Sequence, residues 1–415
     1  MKLKNMLFSK TNYVFILSIL LVLENSLFFI KFNTNIYIEI LSCLMLEFGV
    51  LFSFFKENKT NIKNKISLAC IILFMMIIGI LLQKMDLMIK CKQVFVAVIL
   101  VTIILLSKKF LNNSKYIKVF SYGIIFGLFI ATFLSLISNI NVTEISSEGL
   151  LNYGFNGGLQ YKNYFATTAL ASLMGLLINY RYFKRSLIDV ILVIILCIFI
   201  FLSSSRGAYL LLVIFVLIIY ADTILRFVKG ILTRIKTNKI YYRILCIIFT
   251  VVISLGFIFF FYYLMHSRNY MYRVRGIQNY LNYYRNDYFH LVFGNSEMAF
   301  SNPNLSYVEN IRQTIQGYNG SYEMGFINIL VKNGFIGIIA YMLMYYYLIK
   351  NALQNAKSKI YSKKLNYISI SILILLLISS FVEAYICSVH TLFGIYCYLL
   401  IHGLQNINQK EVQVK

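Results

Sequence analysis

Six arginines carry much of the chemistry open to this chain. Arg206 stands in Ser203-Ser204-Ser205-Arg206-Gly207-Ala208-Tyr209, a polar run between two apolar stretches, and Arg268, Arg273, Arg275, Arg285 and Arg312 are spread over residues 266–324, a segment without lysine. Arginine keeps its charge and offers a planar fork of donors that grips phosphate or carboxylate through two bonds, which lysine does not. This selection suggests that an anion is handled. The competing reading is that these side chains reach lipid headgroups or pair with Asp287, Glu297, Glu309 and Glu323 of the same segment. Arg206 resists that reading best, because a charge held in so tight a turn beside apolar helices is a functional candidate by default.

Tyrosine and cysteine are less specific. The tyrosines of 266–324, Tyr280, Tyr284 and Tyr322 among them, offer apolar faces with a hydroxyl, suited equally to sugar rings and to a membrane interface. The seven cysteines lie in or beside apolar runs without metal-ligand spacing and read as small core residues. No phosphate-binding glycine loop, zinc motif or nucleophile elbow occurs, and neither a metal nor a cofactor is expected.

The element that must position these side chains is one membrane domain spanning 1–415. Of the 415 residues 60% are apolar and only 13% charged, with a mean hydropathy of +0.74, outside the range of soluble globular chains. Apolar runs long enough to cross ~30 Å of hydrocarbon recur along the whole length. We expect an all-α, polytopic fold of about twelve transmembrane helices, at about 12–30, 36–55, 66–83, 92–107, 119–140, 163–180, 187–203, 207–225, 244–264, 325–349, 366–382 and 389–405. The first run follows Lys2, Lys4 and Lys10 as a signal peptide would, but lacks a small-residue cleavage site and is read as a retained helix.

Charge chooses the sides. A net charge of +24 would suggest nucleic acid as the partner of a soluble protein, but here its distribution matters more than its sum. With both termini in the cytoplasm, 27 of the 39 Lys and Arg residues fall inside, in tails and alternate loops, as the positive-inside rule requires. Two segments then lie outside and are too long to be turns, 141–162 and 266–324. In the second, Ile277, Tyr280, Leu281, Tyr284 and Tyr288 repeat at helical spacing, which predicts an amphipathic helix on the outer membrane surface. Glu24 and Glu47 are the main charges expected within the membrane.

Three stretches, in this order, resemble the O-antigen ligase and polymerase superfamily, which includes the Wzy polymerases of capsule and O-antigen synthesis. Tyr161-Lys162-Asn163-Tyr164-Phe165-Ala166 resembles its Asn-containing helix start. Ser203 to Ala208 resembles its Ser-x-Ser-Arg-Gly-Ala signature, and Glu323 to Gly337 resembles the segment that closes the long loop and enters the next helix. With the helix count and the late external loop, the resemblance covers nearly the whole chain in architecture. Ligases of the superfamily place histidine where the glycine register here puts Glu323, which weakens the ligase reading and is compatible with a polymerase. Richness in Ile, Lys, Asn, Tyr and Phe suggests an AT-rich genome, as in low-GC Gram-positive bacteria, where a capsule polymerase is the more natural role.

The resemblance implies a metal-independent glycosyltransferase of the bacterial plasma membrane. Its substrate would be an undecaprenyl-diphosphate-linked oligosaccharide, its solvent the lipid bilayer, and its companions a flippase and a chain-length regulator, with no nucleic acid. The growing glycan would pass from its lipid diphosphate to a hydroxyl of the next repeat unit. On that basis Arg206 is assigned to the diphosphate, and Arg273, Arg275 and Arg285 assist. Glu323 is the general base with His290 as its substitute, and Lys162, Asn163 and Tyr322 hold sugars, although Asn163 could simply cap its helix. Two alternatives stay open: a ligase-like transferase that differs only in its acceptor, and a flippase or transporter without catalysis, for which inverted repeats and proline-broken helices are missing.

Overall fold

The computed structural model describes residues 9–55, 59–145, 153–235, 268–299, 306–317, 322–358, 360–381 and 383–412, with isolated positions between 247 and 262. Its helices are α1 (Lys10–Leu23), α2 (Leu27–Lys31), α3 (Asn35–Phe54), α4 (Lys59–Leu82), α5 (Leu87–Leu106), α6 (Ser114–Ile137), α7 (Lys162–Tyr182), α8 (Leu187–Leu202), α9 (Arg206–Ile235), α10 (Arg268–Tyr283), α11 (Tyr288–Phe293), α12 (Ser306–Gln316), α13 (Gly325–Lys357), α14 (Lys363–Ser379) and α15 (Leu392–Gln405). The fold is all-α apart from one antiparallel pair of three-residue strands, β1 (Thr143–Ile145) and β2 (Tyr153–Phe155), which closes part of the 141–162 segment.

Among the described residues six helices are long and apolar enough to cross a membrane: α3, α4, α5, α6, the first part of α9, and α13. Three further apolar helices, α1, α8 and α15, are shorter. Exposed apolar stripes at three- and four-residue spacing cover the outside, such as Tyr37, Ile40, Leu44, Phe48 and Phe52 on α3 and Leu187, Ile191, Ile194, Ile198 and Phe201 on α8. Water would penalise such continuous stripes, whereas lipid covers them. The chain is a membrane protein. The expected ninth span, 244–264, falls almost wholly outside the described residues. The expected first span is interrupted: α1 stops at Glu24, and the Leu27 N–H bonds to the Gly158 carbonyl at 2.8 Å.

Hydrogen bonds sort the helix ends into two sets. At one end, Gln160 N–H donates to Asn25 O (2.9 Å), the Asn25 amide to His390 O (2.9 Å), and Gly325 N–H to Ser380 O (2.8 Å). At the other, Lys10 Nζ donates to Lys109 O (2.8 Å), the Asn355 amide to Gln405 O (2.9 Å), and Lys364 lies 3.6 Å from Asp222. Lys118, Arg181, Lys184 and Arg185 belong to this second, lysine-rich end, where Lys118 and Tyr122 hold the buried Asp189 at 2.7 and 2.5 Å.

The described residues of 268–324 pack on the bundle around a broken helix, α13. At Gly334 in α13, φ is +63° and ψ −158°, a conformation suited to glycine alone, and the helical hydrogen bonds lapse there. A break at membrane depth must be satisfied by neighbouring protein. The freed Val331 carbonyl accepts the Asn295 N–H at 2.7 Å, and the Lys332 carbonyl accepts the Ser296 hydroxyl at 2.6 Å. Gln83, just past α4, locks the same strap by donating to Phe293 O and accepting from Ser296 N–H, both at 2.7 Å.

A second apolar core grows on this clamp from Tyr280, Tyr284, Met298, Val308, Ile315, Tyr322, Met324, Ile327, Leu330 and Val331. The face of α10 expected to lie on the membrane is therefore spent on protein: Ile277, Tyr280, Leu281 and Tyr284 pack into this core, while Tyr288 begins α11 and is exposed.

Candidate functional site

The Ser203-Ser204-Ser205 run is the joint between α8 and α9. Ser203 Oγ donates to Ile200 O at 2.6 Å and accepts the Ser205 N–H at 3.3 Å, while Ser204 turns the chain in the left-handed region at φ +57°. All three serines are buried and Arg206 is exposed. Arg206 opens α9 and Lys162 opens α7, each at the positive end of a helix dipole. A cation there is disfavoured by ~0.3–1 kcal/mol, and an anion is favoured. Among the described residues no carboxylate pairs with Arg206, whereas Glu144 accepts the Lys162 backbone N–H at 3.2 Å. Gly154 joins the two helix starts: a β-carbon there would come within 2.6 Å of Ser203 O and 2.5 Å of Lys162 Cδ.

Asn163, beside Lys162, leads to a second group of charges. Its amide donates to Glu383 Oε1 at 3.3 Å, across 220 residues of sequence, while the N-cap position of α7 belongs to Tyr161. Glu383 stands between α14 and α15 and lies within the electrostatic reach of Glu323 and Arg273. Arg273 of α10 is ion-paired with Glu323. Burial pushes the Glu383 carboxyl up to about 7, and the neighbouring Glu323 adds to this, against the opposing pull of Arg273 and the Asn163 amide. The Arg273 side chain is 21% exposed and that of Glu323 42%, so the pair faces solvent. Such a pair is worth only ~0–1 kcal/mol, and an incoming anion can displace it at little cost. Tyr164 borders the same carboxylates and, with Thr167 and His390, lines a small adjoining cleft.

The other expected residues are placed elsewhere. His290 belongs to α11, where its backbone N–H and its ring Nδ1 engage Asp287 at 3.1 and 2.5 Å and its ring lies 5.1 Å from that of Tyr284. Burial raises the Asp287 carboxyl, but the His290 hydrogen bonds outweigh that and hold it below the usual carboxylate range. His290 shares no contact with Arg273, Glu323 or Glu383 among the described residues, so it stabilises the strap around Asp287. Tyr322 is buried in the second core rather than presented to a ligand, and it anchors the segment that carries Glu323. Arg312 is buried too and donates to Met298 O at 2.9 Å. Arg275 and Arg285 are exposed, and α10 begins at Arg268. Glu24 accepts the Ser42 hydroxyl at 2.5 Å, and Glu47 bonds to Thr102.

Glu383 is the site residue that reading the sequence missed. It follows the apolar run 366–382 directly and belongs to no motif, yet it is one of only 15 acidic residues in the chain. An acid at the end of an apolar helix was the signal. Neither a scan against protein-family models nor a search of curated proteins finds a match to the chain. Chemically, the arrangement joins two cationic helix starts, suited to an anion, with a pair of carboxylates, one of them half-neutral near pH 7.

Proposed function

We propose that the protein polymerises undecaprenyl-diphosphate-linked oligosaccharide repeats at the outer face of a bacterial plasma membrane. Carrying this reading is the convergence of the three motif segments at one end of the bundle. Lys162 and Ser203 flank Gly154, and Asn163 reaches Glu383, which lies in the field of Glu323. Arg206 and Lys162 take the donor diphosphate at the starts of α9 and α7. Glycosyl transfer needs the leaving diphosphate stabilised and the acceptor hydroxyl deprotonated; two carboxylates, Glu323 and Glu383, stand where the second task falls. The lysine-rich end faces the cytoplasm, with both termini, by the positive-inside rule.

Deleting the gene in its host and resolving surface glycan by electrophoresis tests the reading. Single repeat units in place of long chains are expected. Long chains left on the lipid carrier would mean a ligase, and repeats trapped on the cytoplasmic side a flippase; either would overturn the polymerase reading.

A further inference from the structure

We infer that Glu383, rather than Glu323, accepts the proton of the acceptor hydroxyl, and that Asn163 holds the Glu383 carboxylate in position for it. The assignment rests on the glycosyl-transfer reading. It follows from how differently the two carboxylates are held. Glu323 is half-buried and ion-paired with Arg273, so its charge is already committed to a guanidinium. Among the described residues no cation is ion-paired with Glu383. The neutral Asn163 amide donates to its Oε1 at 3.3 Å, which fixes the direction of the carboxylate without satisfying its charge.

The groups facing Glu383 are known from each side. Asn163 and Tyr164 come from α7, Arg273 from α10, Glu323 from the residues before α13, and Tyr385 from its own connection. One cation and one like charge thus act on it together with burial, and the carboxyl titrates near neutrality, where a general base works best. The Gly325 N–H to Ser380 O bond of 2.8 Å ties the Glu323 segment to the Glu383 connection, so the two acids belong to one rigid place.

The step balances as one displacement. The acceptor oxygen forms a bond to the anomeric carbon of the donor sugar as that carbon's bond to the phosphate oxygen breaks. The electron pair leaves with undecaprenyl diphosphate, whose charge the cations at Arg206 and Lys162 offset. The hydroxyl proton passes to the Glu383 carboxylate and from there to water.

The test is a pH–rate profile of the purified, lipid-reconstituted protein with undecaprenyl-diphosphate-linked oligosaccharide as substrate. For the unaltered protein the rate should rise tenfold per pH unit up to about 7 and then level, because below that pH Glu383 is protonated and cannot accept. Glu383→Gln should lower turnover about 10²- to 10⁴-fold and remove the pH step. Glu383→Asp, which keeps the acid, should retain a step. Glu323→Gln should keep the pH step and move it to lower pH, since losing a neighbouring negative charge eases Glu383 ionisation. Asn163→Ala should lower kcat with KM nearly unchanged, and Asn163→Gln should not restore it. If Glu383→Gln keeps the rate and step of the unaltered protein, or if Glu323→Gln is the variant that loses the step, the assignment is overturned and the transfer reading stands. An unaltered protein that forms no product overturns both.

Discussion

Replacing Arg206 by alanine is expected to lower glycan transfer by about 10²- to 10³-fold while leaving the protein as stable as before, or more stable by a few tenths of a kcal/mol. The two halves of this result come from one geometric fact. Arg206 begins a long helix, where its charge opposes the dipole, and among the described residues no carboxylate offsets it. A side chain kept for stability would not sit there. An anion at that point meets the guanidinium, the free N–H groups of α9 and, through the Gly154 contact, the neighbouring start of α7 with Lys162. Arg206→Lys keeps the charge without the planar fork and should fall between the two. Turnover of reconstituted protein and its thermal melt are the measurements. A melt lowered by several degrees together with lost activity would make Arg206 a structural residue.

Gly334→Ala is expected to destabilise the fold by about 3–5 kcal/mol, from left-handed backbone strain and an overlap that cannot relax. A β-carbon at Gly334 would lie 2.6 Å from the Gly294 nitrogen and in hard contact with the Val292 carbonyl. Both neighbours are backbone, so neither can swing aside. Gly294 is held in the same way, with φ +79° and the Asn333 and Gly334 nitrogens 2.7 Å from where its β-carbon would be. The lock matters for the site because the strap it fastens supports the second core, and that core carries Tyr322 and hence Glu323. The melting temperature in detergent and the amount of protein in the membrane report the effect; a variant that melts with the parent would show that the break in α13 is not held by this contact.

The all-α fold was legible because lipid imposes a simple rule: among the described residues the apolar runs are helical, and charged helix ends separate into two sets. The Arg206 turn was legible for a related reason, since a charge in a short polar run between apolar helices has nowhere to hide. Tertiary pairing was not legible. Asn163 reads from the sequence as a residue that holds sugars, with a helix cap as the alternative, but its partner Glu383 lies 220 residues away, and no local period encodes that distance. The repeat through Tyr280 and Tyr284 indicated an amphipathic helix, yet nothing in its spacing says whether the apolar face meets lipid or, as found, Met298, Val308 and Ile315. Glycine at 334 looked like part of a helix start, because a break depends on a strap and on Gln83, more than two hundred residues upstream.

The most direct test of the account is to give the purified protein, in lipid nanodiscs, undecaprenyl-diphosphate-linked repeat units and no other substrate, and to follow chain length and released undecaprenyl diphosphate together. A ladder of longer lipid-linked glycans, with one undecaprenyl diphosphate released per linkage formed, is the predicted result. Unchanged repeat units with no carrier released, from protein that is folded by its thermal melt, would contradict it.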